Sequence, residues 1–331
     1  MVLSQEAVSY SQAAVRAIEC EMQADERVVV VGEDVGRGGI FGQYKGLQQR
    51  FGSSRIIDAP ISEAAIMGAG VGMALAGLRP VVEMRVVDFA LCGMDEVINQ
   101  AAKNRYMFGG QGRVPLVMRL PIGMWQNSAA QHSQSLEAWF AHLPGVVVMC
   151  PSTPQDNYAM LAWALQSEDP VVYMENKELW SLEGEVDDAA AAYVPGRARI
   201  ARRGKDLTIV SWSAAVHGAA RAAEQLAGLG VDASLIDLGS LWPWDREAVL
   251  QDCARTGRLL VVHDAVQAGG FGAEIAATAA QATGCRVARL GAPRIPVGYA
   301  TSLETVARIQ PAAIVQAAQS LMAGAAHTAT A

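Results

Sequence analysis

The carboxylate of Glu63 is the first side chain in this sequence whose type and setting suit it to chemistry. It lies in the segment IIDAPISEAAIMGAG, where Ile56 and Ile57 predict a strand and Ser62 with Glu63 predicts a helix start. A carboxylate between a strand end and an apolar helix is expected to be shielded from water, which would raise its pKa and suit it to proton exchange. The alternative is that Glu63 only complements the helix dipole, and position alone favours that alternative.

His132 is a second candidate for acid and base chemistry. It lies in the polar stretch MWQNSAAQHSQSLEAWF, between a predicted strand and a predicted apolar helix start. The side chains of Gln131, Ser133 and Gln134 would supply hydrogen bonds that fix its tautomer and orientation. Because a single histidine in a loop is usually a surface residue, the residues alone leave both interpretations open.

Common catalytic and cofactor signatures are absent from the sequence. It contains no GxSxG, HExxH or P-loop motif, and its five histidines lack the spacing of metal ligands. Gly68, Gly70 and Gly72 fall within a helical pattern, so they predict close helix packing, which could include a second subunit, and not dinucleotide binding. His263 is predicted to end a buried strand before Asp264, where a structural hydrogen bond is at least as good an explanation as catalysis.

Short β-branched runs alternate with Ala-rich helical patterns along the chain of 331 residues. Examples are RVVVVG, SEAAIMGAGVGMALAG, PVVEMRV and, further on, DLTIVSW, HGAARAAEQLAGLG and RLLVVHD. This order predicts an α/β fold with a doubly wound parallel sheet, followed by a second α/β domain. We predict a first domain over 1–185, a linker over 186–205, a second domain over 206–325 and a frayed tail over 326–331.

The composition narrows the class of partner and the location. The formal net charge is -7, without a Lys/Arg run that would neutralise phosphates, so we expect no nucleic-acid partner. Apolar runs such as Val28 to Val31 are too short to cross a bilayer, and no secretion signal is apparent. Five cysteines without a CxxC pair argue against a disulfide framework and a zinc site. We therefore expect a cytoplasmic protein.

A series of motifs across nearly the whole chain resembles the β subunit of the thiamin diphosphate dependent 2-oxo acid dehydrogenases. This is the E1 component of the pyruvate, branched-chain oxo acid and acetoin dehydrogenase complexes. The matching segments are GEDVG, PISEAAI, GLRPVVE, INQAAKNRYMFGGQ, RLPIG, QHSQS, PSTPQD, DPVVYMENKELW, TGRLLVVHDA and GGFGAEI. The resemblance implies a pyrimidine-binding α/β domain followed by a C-terminal transketolase-like α/β domain.

The resemblance also implies roles for single residues at the cofactor. Glu63 matches the glutamate that hydrogen-bonds the aminopyrimidine ring and promotes its imino tautomer. Phe89 matches the aromatic residue that packs against this ring, and Ile61 lies beside it, although plain core packing would explain these side chains equally well. Glu33 matches an acidic position near the cofactor, and Arg85 stands near the pyrimidine where Met or Gln is usual.

Further roles follow from the same resemblance. His132 matches the histidine that family members direct at the substrate, and Glu33 with Asp95 would lie on a proton path joining two active sites. A structural potassium ion is held by backbone carbonyls in some members. The matching positions here are Leu116, Ala164, Ser167 and Asp169, of which Ser167 and Asp169 replace the commoner Asp and Asn.

The same family divides its active site between two chains. The α subunit brings the diphosphate and magnesium site, and this chain contains no GDG segment of the kind that holds magnesium diphosphate. The resemblance implies a heterotetramer with an α subunit, a lipoyl E2 partner and a 2-oxo acid substrate, with pyruvate first. RYMFGG and VVDF also look like acetoin dehydrogenase β chains, and a non-catalytic paralogue that pairs with an α-like chain or docks on E2 is the alternative from another class. Asn127, where glycine is usual, and the divergent segment Gly291 to Ala300 would tune substrate or carrier choice.

Overall fold

A computed structural model describes residues 7–40, 42–188 and 193–324. The chain forms two compact units, and their boundaries do not simply follow the sequence. The first unit comprises Met1–Ile122 and Trp139–Val194, and the second comprises Gly123–Ala138 and Pro195–Ala331. The segment around His132 therefore belongs to the second unit, although both of its flanks belong to the first. The predicted frayed tail, 326–331, lies outside the described residues.

Parallel strands form the sheet of the first unit, as the alternating pattern predicts. Their order is β6-β7-β5-β4-β2-β3. A short antiparallel pair, β1 with β8, lies apart from this sheet. The strands are β1 (Ala7–Ser9), β2 (Val28–Gly32), β3 (Ile56–Asp58), β4 (Arg79–Glu83), β5 (Val117–Arg119), β6 (Val147–Met149), β7 (Val171–Tyr173) and β8 (Glu183–Glu185).

Helices flank this sheet, and their ends follow local sequence signals. Ser9 and Gln12 form a reciprocal capping box at the start of the first helix, and Thr153 caps the helix that begins at Pro154. These two helices pack against each other over a core of buried Val, Ile, Leu and Met side chains. The helices are α1 (Tyr10–Ala24), α2 (Leu47–Phe51), α3 (Glu63–Leu75), α4 (Val87–Ala90), α5 (Asn104–Met107), α6 (Glu137–Ala141) and α7 (Pro154–Gln166).

The helical segment DEVINQAAKNRYM is interrupted. Its first part, Glu96–Ala101, is a π-helix, and α5 begins only after a turn at Ala102 and Lys103. A π-helical turn packs one extra residue into the helix, so it shifts which side chains face the neighbouring helix α3.

The small residues of α3 serve packing inside the first unit. A Cβ atom placed on Gly70 would overlap the Cγ2 atom of Val82 on β4 and lie 3.1 Å from the Leu116 side chain. Only a residue without a side chain lets α3 approach the sheet this closely. Gly72, by contrast, faces open space. Close packing of α3 on the sheet explains Gly70 and does not explain Gly72.

The second unit has a sheet in the order β14-β13-β10-β11-β9, parallel except for β9 at one edge. Its strands are β9 (Arg199–Arg202), β10 (Leu207–Ser211), β11 (Ala233–Asp237), β13 (Arg258–Val266) and β14 (Arg286–Ala292), and a short β12 covers Ser240–Trp242. Its helices are α8 (Ala215–Gly228), α9 (Arg246–Thr256), α10 (Gly272–Thr283), α11 (Thr301–Ala307) and α12 (Pro311–Ala323). The core between α8, α12 and the sheet is built mainly from Ala, Leu, Ile and Val.

Two details differ from the sequence-based expectations for this region. Strand β9 falls inside the predicted linker 186–205, because its alternating exposed residues give too weak a hydrophobic signal to mark an edge strand. His263 lies within β13 and does not end it. No helix in the described part of the chain is long and apolar enough to cross a membrane.

Candidate active site

Three charged side chains of the first unit follow the carboxyl ends of adjacent parallel strands. Glu33 follows β2, Glu63 opens α3 after β3, and Arg85 follows β4. In the register of the sheet, Gly32 pairs with Asp58 on one side and with Glu83 on the other, so these three strands end at the same edge. The chain runs from β2 outward to β3 and then returns to β4 on the other side of β2. Such a change of direction is where open α/β sheets bind ligands.

These side chains influence one another electrostatically. The pKa of Glu33 is raised above its ordinary value, first because the carboxyl group is partly buried and then because of the negative charge of Glu63. Arg85 opposes this shift. The structure therefore brings together two carboxyl groups and one guanidinium at the edge of the sheet, in a setting where one of the carboxyl groups retains its proton more readily than usual.

Apolar side chains accompany these charges. Ile61, two residues before Glu63, has 76% of its surface exposed, and Phe89 on α4 is half-buried. The turn after α4 touches the start of α3, since a Cβ atom on Gly93 would lie 3.3 Å from the carbonyl oxygen of Glu63. Carboxyl groups that accept or share a proton, next to exposed apolar surface, fit an aromatic ring that carries an amino group. Glu63 itself is half-buried, so this chain alone does not enclose it in the way the sequence predicted.

Asp95 has local partners that explain its charge state. It is exposed, and its carboxylate accepts hydrogen bonds from Asn99 Nδ2 at 2.6 Å and Gln100 Nε2 at 3.4 Å. These bonds lower the pKa of Asp95. A carboxyl group that holds a proton less readily is a poor relay at neutral pH, so its place on a proton path stays a prediction.

The carbonyl groups expected at a potassium ion already accept hydrogen bonds. The Leu116 and Ala164 oxygens accept backbone N–H groups, the Ser167 oxygen accepts Arg79 Nη2 at 2.8 Å, and the Asp169 oxygen accepts Ser167 Oγ at 2.9 Å. The carboxylate of Asp169 is paired with Arg105. The guanidinium groups of Arg79 and Arg105 therefore stand next to the carbonyls that would hold the ion. The potassium site stays a prediction, and these contacts weigh against it.

His132 is half-buried in the second unit, within a segment whose backbone is strained. Gln126, Asn127 and Ala129 have φ values of 47°, 58° and 60°. Residues other than glycine rarely adopt this left-handed region. The Asn127 side chain donates a hydrogen bond to Thr301 Oγ1 at 3.1 Å. The unusual asparagine therefore occupies a left-handed position, which asparagine tolerates better than most residues.

A pocket of about 530 Å³ lies in the second unit beside this segment. One wall is formed by Ser133 to Leu136, directly after His132, and another by Pro293 to Val297. The divergent segment Gly291 to Ala300 is thus placed next to the residues that flank His132, where changes in its sequence alter the surroundings of that histidine.

Several buried charged residues were not identified from the sequence. Arg119 is only 1% exposed and is paired with both Glu83, at 3.2 Å, and Glu175. Each of the three closes or directly follows an apolar strand run (PVVE, VMR and VVYME), which is the signal that was available. Lys177 is buried as well, and burial lowers its pKa to about 8. The negative charge of Asp88, the residue before Phe89, acts in the other direction and raises this pKa.

Comparisons with known proteins agree with the geometry of both units. The pyrimidine-binding domain of transketolase matches residues 6–181, and the transketolase C-terminal domain matches residues 196–314. In a solved structure described as a split-gene transketolase in an inactive β4 tetramer, the similarity extends over 96% of this chain and 98% of that chain, with a TM-score of 0.81. Its sequence identity of 21% shows a shared fold alone.

Curated relatives share more of the sequence. The chain is 40% identical to the β subunit of acetoin:2,6-dichlorophenolindophenol oxidoreductase of Cupriavidus necator, over 94% of this chain and 96% of that one. It is 38% identical to the β subunit of 2-oxoisovalerate dehydrogenase of Bacillus subtilis, over 92% and 95%. It is 39% identical to the mitochondrial pyruvate dehydrogenase E1 subunit β-1 of Arabidopsis thaliana, over 92% and 86%. The chain therefore belongs to the family of E1 β subunits of the thiamin diphosphate dependent 2-oxo acid dehydrogenases.

Proposed function

We propose that this chain works with an α subunit to decarboxylate a 2-oxo acid oxidatively and to transfer the acyl group to a lipoyl E2. Pyruvate is the first proposed substrate. The observation that carries the proposal is the placement of Glu63 and Glu33 beside Arg85, at the carboxyl ends of β2 and β3 in the pyrimidine-binding unit. This is the edge at which a fold of this kind binds its ligands.

Each residue of the group has a separate task in this proposal. Thiamin diphosphate, when bound, supplies the carbon nucleophile and the electron sink of the reaction. The Glu63 carboxyl group exchanges a proton with a nitrogen of the aminopyrimidine ring, while Ile61 and Phe89 provide the apolar surface against its faces. Glu33 and Arg85 would be the charged neighbours of Glu63 at this edge of the sheet.

His132 would act on the substrate side. Its imidazole is half-buried and follows a strained stretch of backbone, which is a setting common at functional sites. In the proposed reaction its protonated form pairs with the carboxylate of the 2-oxo acid or donates a proton during acyl transfer. The α subunit would hold the diphosphate and magnesium, and the two chains would assemble as a heterotetramer with two copies of each.

The substrate is proposed and not fixed by similarity. The relatives that act on acetoin, 2-oxoisovalerate and pyruvate are 40%, 38% and 39% identical to this chain, a range too narrow to rank them. Acetoin cleavage is the second candidate, because the segments RYMFGG and VVDF resemble acetoin dehydrogenase β chains. Much of the substrate pocket would belong to the α subunit.

The test is turnover by the assembled complex. The chain is co-expressed with an E1 α subunit from the same organism, and the purified complex is assayed with pyruvate, branched-chain 2-oxo acids and acetoin, using a dye as electron acceptor. We expect turnover with one class of substrate, pyruvate first. Turnover with acetoin alone would replace the first proposal by the second, and no turnover despite bound cofactor would favour a non-catalytic paralogue.

A binding measurement tests the division of the site. In calorimetry, the isolated chain should bind thiamin diphosphate poorly with or without magnesium, whereas the complex should bind it tightly. Tight magnesium-dependent binding by the isolated chain would contradict the proposal that the α subunit holds the diphosphate.

A further inference from the structure

The segment that carries His132 is attached to the second unit through a buried hydrogen bond. At its end, Glu137 is only 1% exposed, and its Oε1 atom accepts the indole N–H of Trp212 at 3.0 Å. Its other oxygen, Oε2, is buried without a hydrogen-bond partner among the described residues. The Trp212 bond is therefore the side-chain contact that compensates part of the cost of burying this carboxyl group.

Trp212 is held in one orientation by the rings around it. Its indole stacks on the imidazole of His263, with centroids 5.1 Å apart and planes 18° apart, and the edge of Phe271 meets it at 6.3 Å. Trp212 and His263 are fully or almost fully buried. Because the ring cannot turn, its N–H group points at Glu137 in the folded protein.

His263 is fixed in turn by its backbone surroundings. Its Nδ1 atom lies 3.0 Å from the carbonyl oxygen of Ala265, which can only accept, so Nδ1 carries the proton. A Cβ atom on Gly270, Gly272 or Gly291 would lie 2.6 to 2.8 Å from the imidazole ring. The glycines of the GGFGAEI motif thus leave room for His263, and burial lowers its pKa to about 4, so the ring is neutral at ordinary pH.

The backbone of the segment requires such an attachment. The left-handed conformations of Gln126, Asn127 and Ala129 each cost free energy, and Ala129 lacks the side-chain oxygen that makes this conformation easier for asparagine. Strain of this kind persists only when surrounding contacts over-determine the conformation. The Asn127–Thr301 hydrogen bond is exposed, so the buried Trp212–Glu137 bond is expected to be stronger than it.

We propose that Glu137 is a positioning residue for His132, and that the hydrogen bond from Trp212, fixed between His263 and Phe271, holds the His132 segment in its strained conformation. The second unit then contributes to turnover by orienting the histidine. This inference rests on the proposed function, since it requires that His132 acts in the reaction.

The test compares Trp212→Phe and Glu137→Gln in the co-expressed complex. Phenylalanine keeps a stacking ring but removes the indole donor, whereas glutamine keeps an oxygen that accepts it. We expect W212F to lower kcat by about 10-fold with an unchanged cofactor Kd, since small misplacement of a catalytic group costs this much or more. E137Q should stay within about threefold of the wild type, because an amide oxygen accepts the same bond.

Hydrogen exchange separates this role from general destabilisation and from the proposed function. Backbone amides of 124–136 should exchange about 10-fold faster in W212F, while those of β10 and β13 keep their protection. Trp244→Phe is the matched control, since Trp244 also meets Phe271 edge-on, at 6.4 Å, and should change neither measurement. Should W212F fail to fold, Glu137→Leu removes the acceptor instead and should give the same two changes.

Unchanged exchange of 124–136 in W212F or E137L would overturn the attachment, whether or not the complex turns over any substrate. Faster exchange of the segment with unchanged kcat would overturn the positioning role. A wild-type complex without turnover would instead refute the proposed function, and a His132→Ala variant with normal turnover would refute the role of His132 and so the positioning role of Glu137. In both cases the exchange experiment would still decide the attachment.

Discussion

Two clusters of buried charged groups, one in each unit, differ in how their charges are balanced. In the first unit, Arg119 lies between Glu83 and Glu175, and each carboxylate has further donors, from Tyr44 and Gln43 on one side and from Asn157 on the other. In the second unit, the carboxyl groups of Glu137 and Asp264 lie close enough to influence each other, and the charge of Glu137 raises the pKa of Asp264. The cation of Arg119 offsets the negative charge of its two carboxylates, whereas neighbouring carboxyl groups tend to share a proton.

The difference suggests separate tasks for the two units. The Arg119 network joins the carboxyl ends of β4, β5 and β7, so it holds the edge of the sheet that bears Arg85 and the start of α4. In the second unit, by contrast, Glu137 and Asp264 lie near the strained segment and the pocket. Backbone strain and carboxyl groups with raised pKa values cost stability, and both are common at binding sites.

The largest effect is expected from breaking the network of the first unit. Arg119→Met leaves Glu83 and Glu175 buried without their cation, so the free energy of unfolding should fall by about 3–5 kcal/mol. Thermal and urea unfolding of the purified complex measure this. Arg37→Met is the control, because the Arg37–Asp34 pair is exposed and its removal should leave the unfolding midpoint unchanged. Equal losses of stability in the two variants would show that the buried Arg119 network stabilises the protein no more than an exposed ion pair does.

A smaller effect, dependent on pH, is expected in the second unit. Burial, and then the charge of Glu137, raise the pKa of Asp264 to about 7 from an ordinary value of 3.8. The folded state therefore binds a proton more tightly than the unfolded state, and the free energy of unfolding contributed by this group falls as pH rises from about 4 to about 7.

Asp264→Asn should remove that slope. The free energy of unfolding of the variant should equal that of the wild type near pH 4. Above pH 7 it should be higher by at most a few kcal/mol, which is the size expected from the shift in the pKa of Asp264. Unfolding curves at a series of pH values measure the difference. Glu137→Gln should shift the wild-type transition to lower pH, because it removes one of the charges that raise the pKa of Asp264. A free energy of unfolding that does not change in the wild type over this pH range would show that Asp264 does not titrate with a raised pKa.

The smallest effect on stability is expected from exchanging potassium for sodium at the segment around Ser167. Because Arg79 and Arg105 already contact this segment, replacing potassium by sodium at equal ionic strength should move the melting temperature of the complex by less than about 1 °C, well below the shift that 1 kcal/mol produces. Differential scanning calorimetry makes the comparison. A rise of several degrees in potassium would show that the carbonyls bind the ion despite these contacts.

The sequence predicted those parts of the molecule that depend on local pattern. Alternating β-branched and Ala-rich runs predicted the α/β units, and the strand and turn before Glu63 placed that residue at a strand end, which the structure confirms. The Arg119 network was missed because its three charges are far apart in sequence and meet only once the strand order is known. The grouping of Gly123–Ala138 with the second unit was missed for the same reason, since it depends on contacts with Trp212 and Thr301.

The turnover of the complex that carries Glu63→Gln tests most directly whether Glu63 exchanges a proton with the cofactor. Glutamine keeps the size of the side chain but cannot exchange the proton, so turnover should fall by at least about 100-fold while assembly with the α subunit persists. Glu26→Gln is the matched control, because this exposed glutamate precedes β2 at the opposite end of the strand from Glu33. Near-normal turnover of E63Q would show that Glu63 does not exchange this proton and would leave it with no more than a role at the helix dipole.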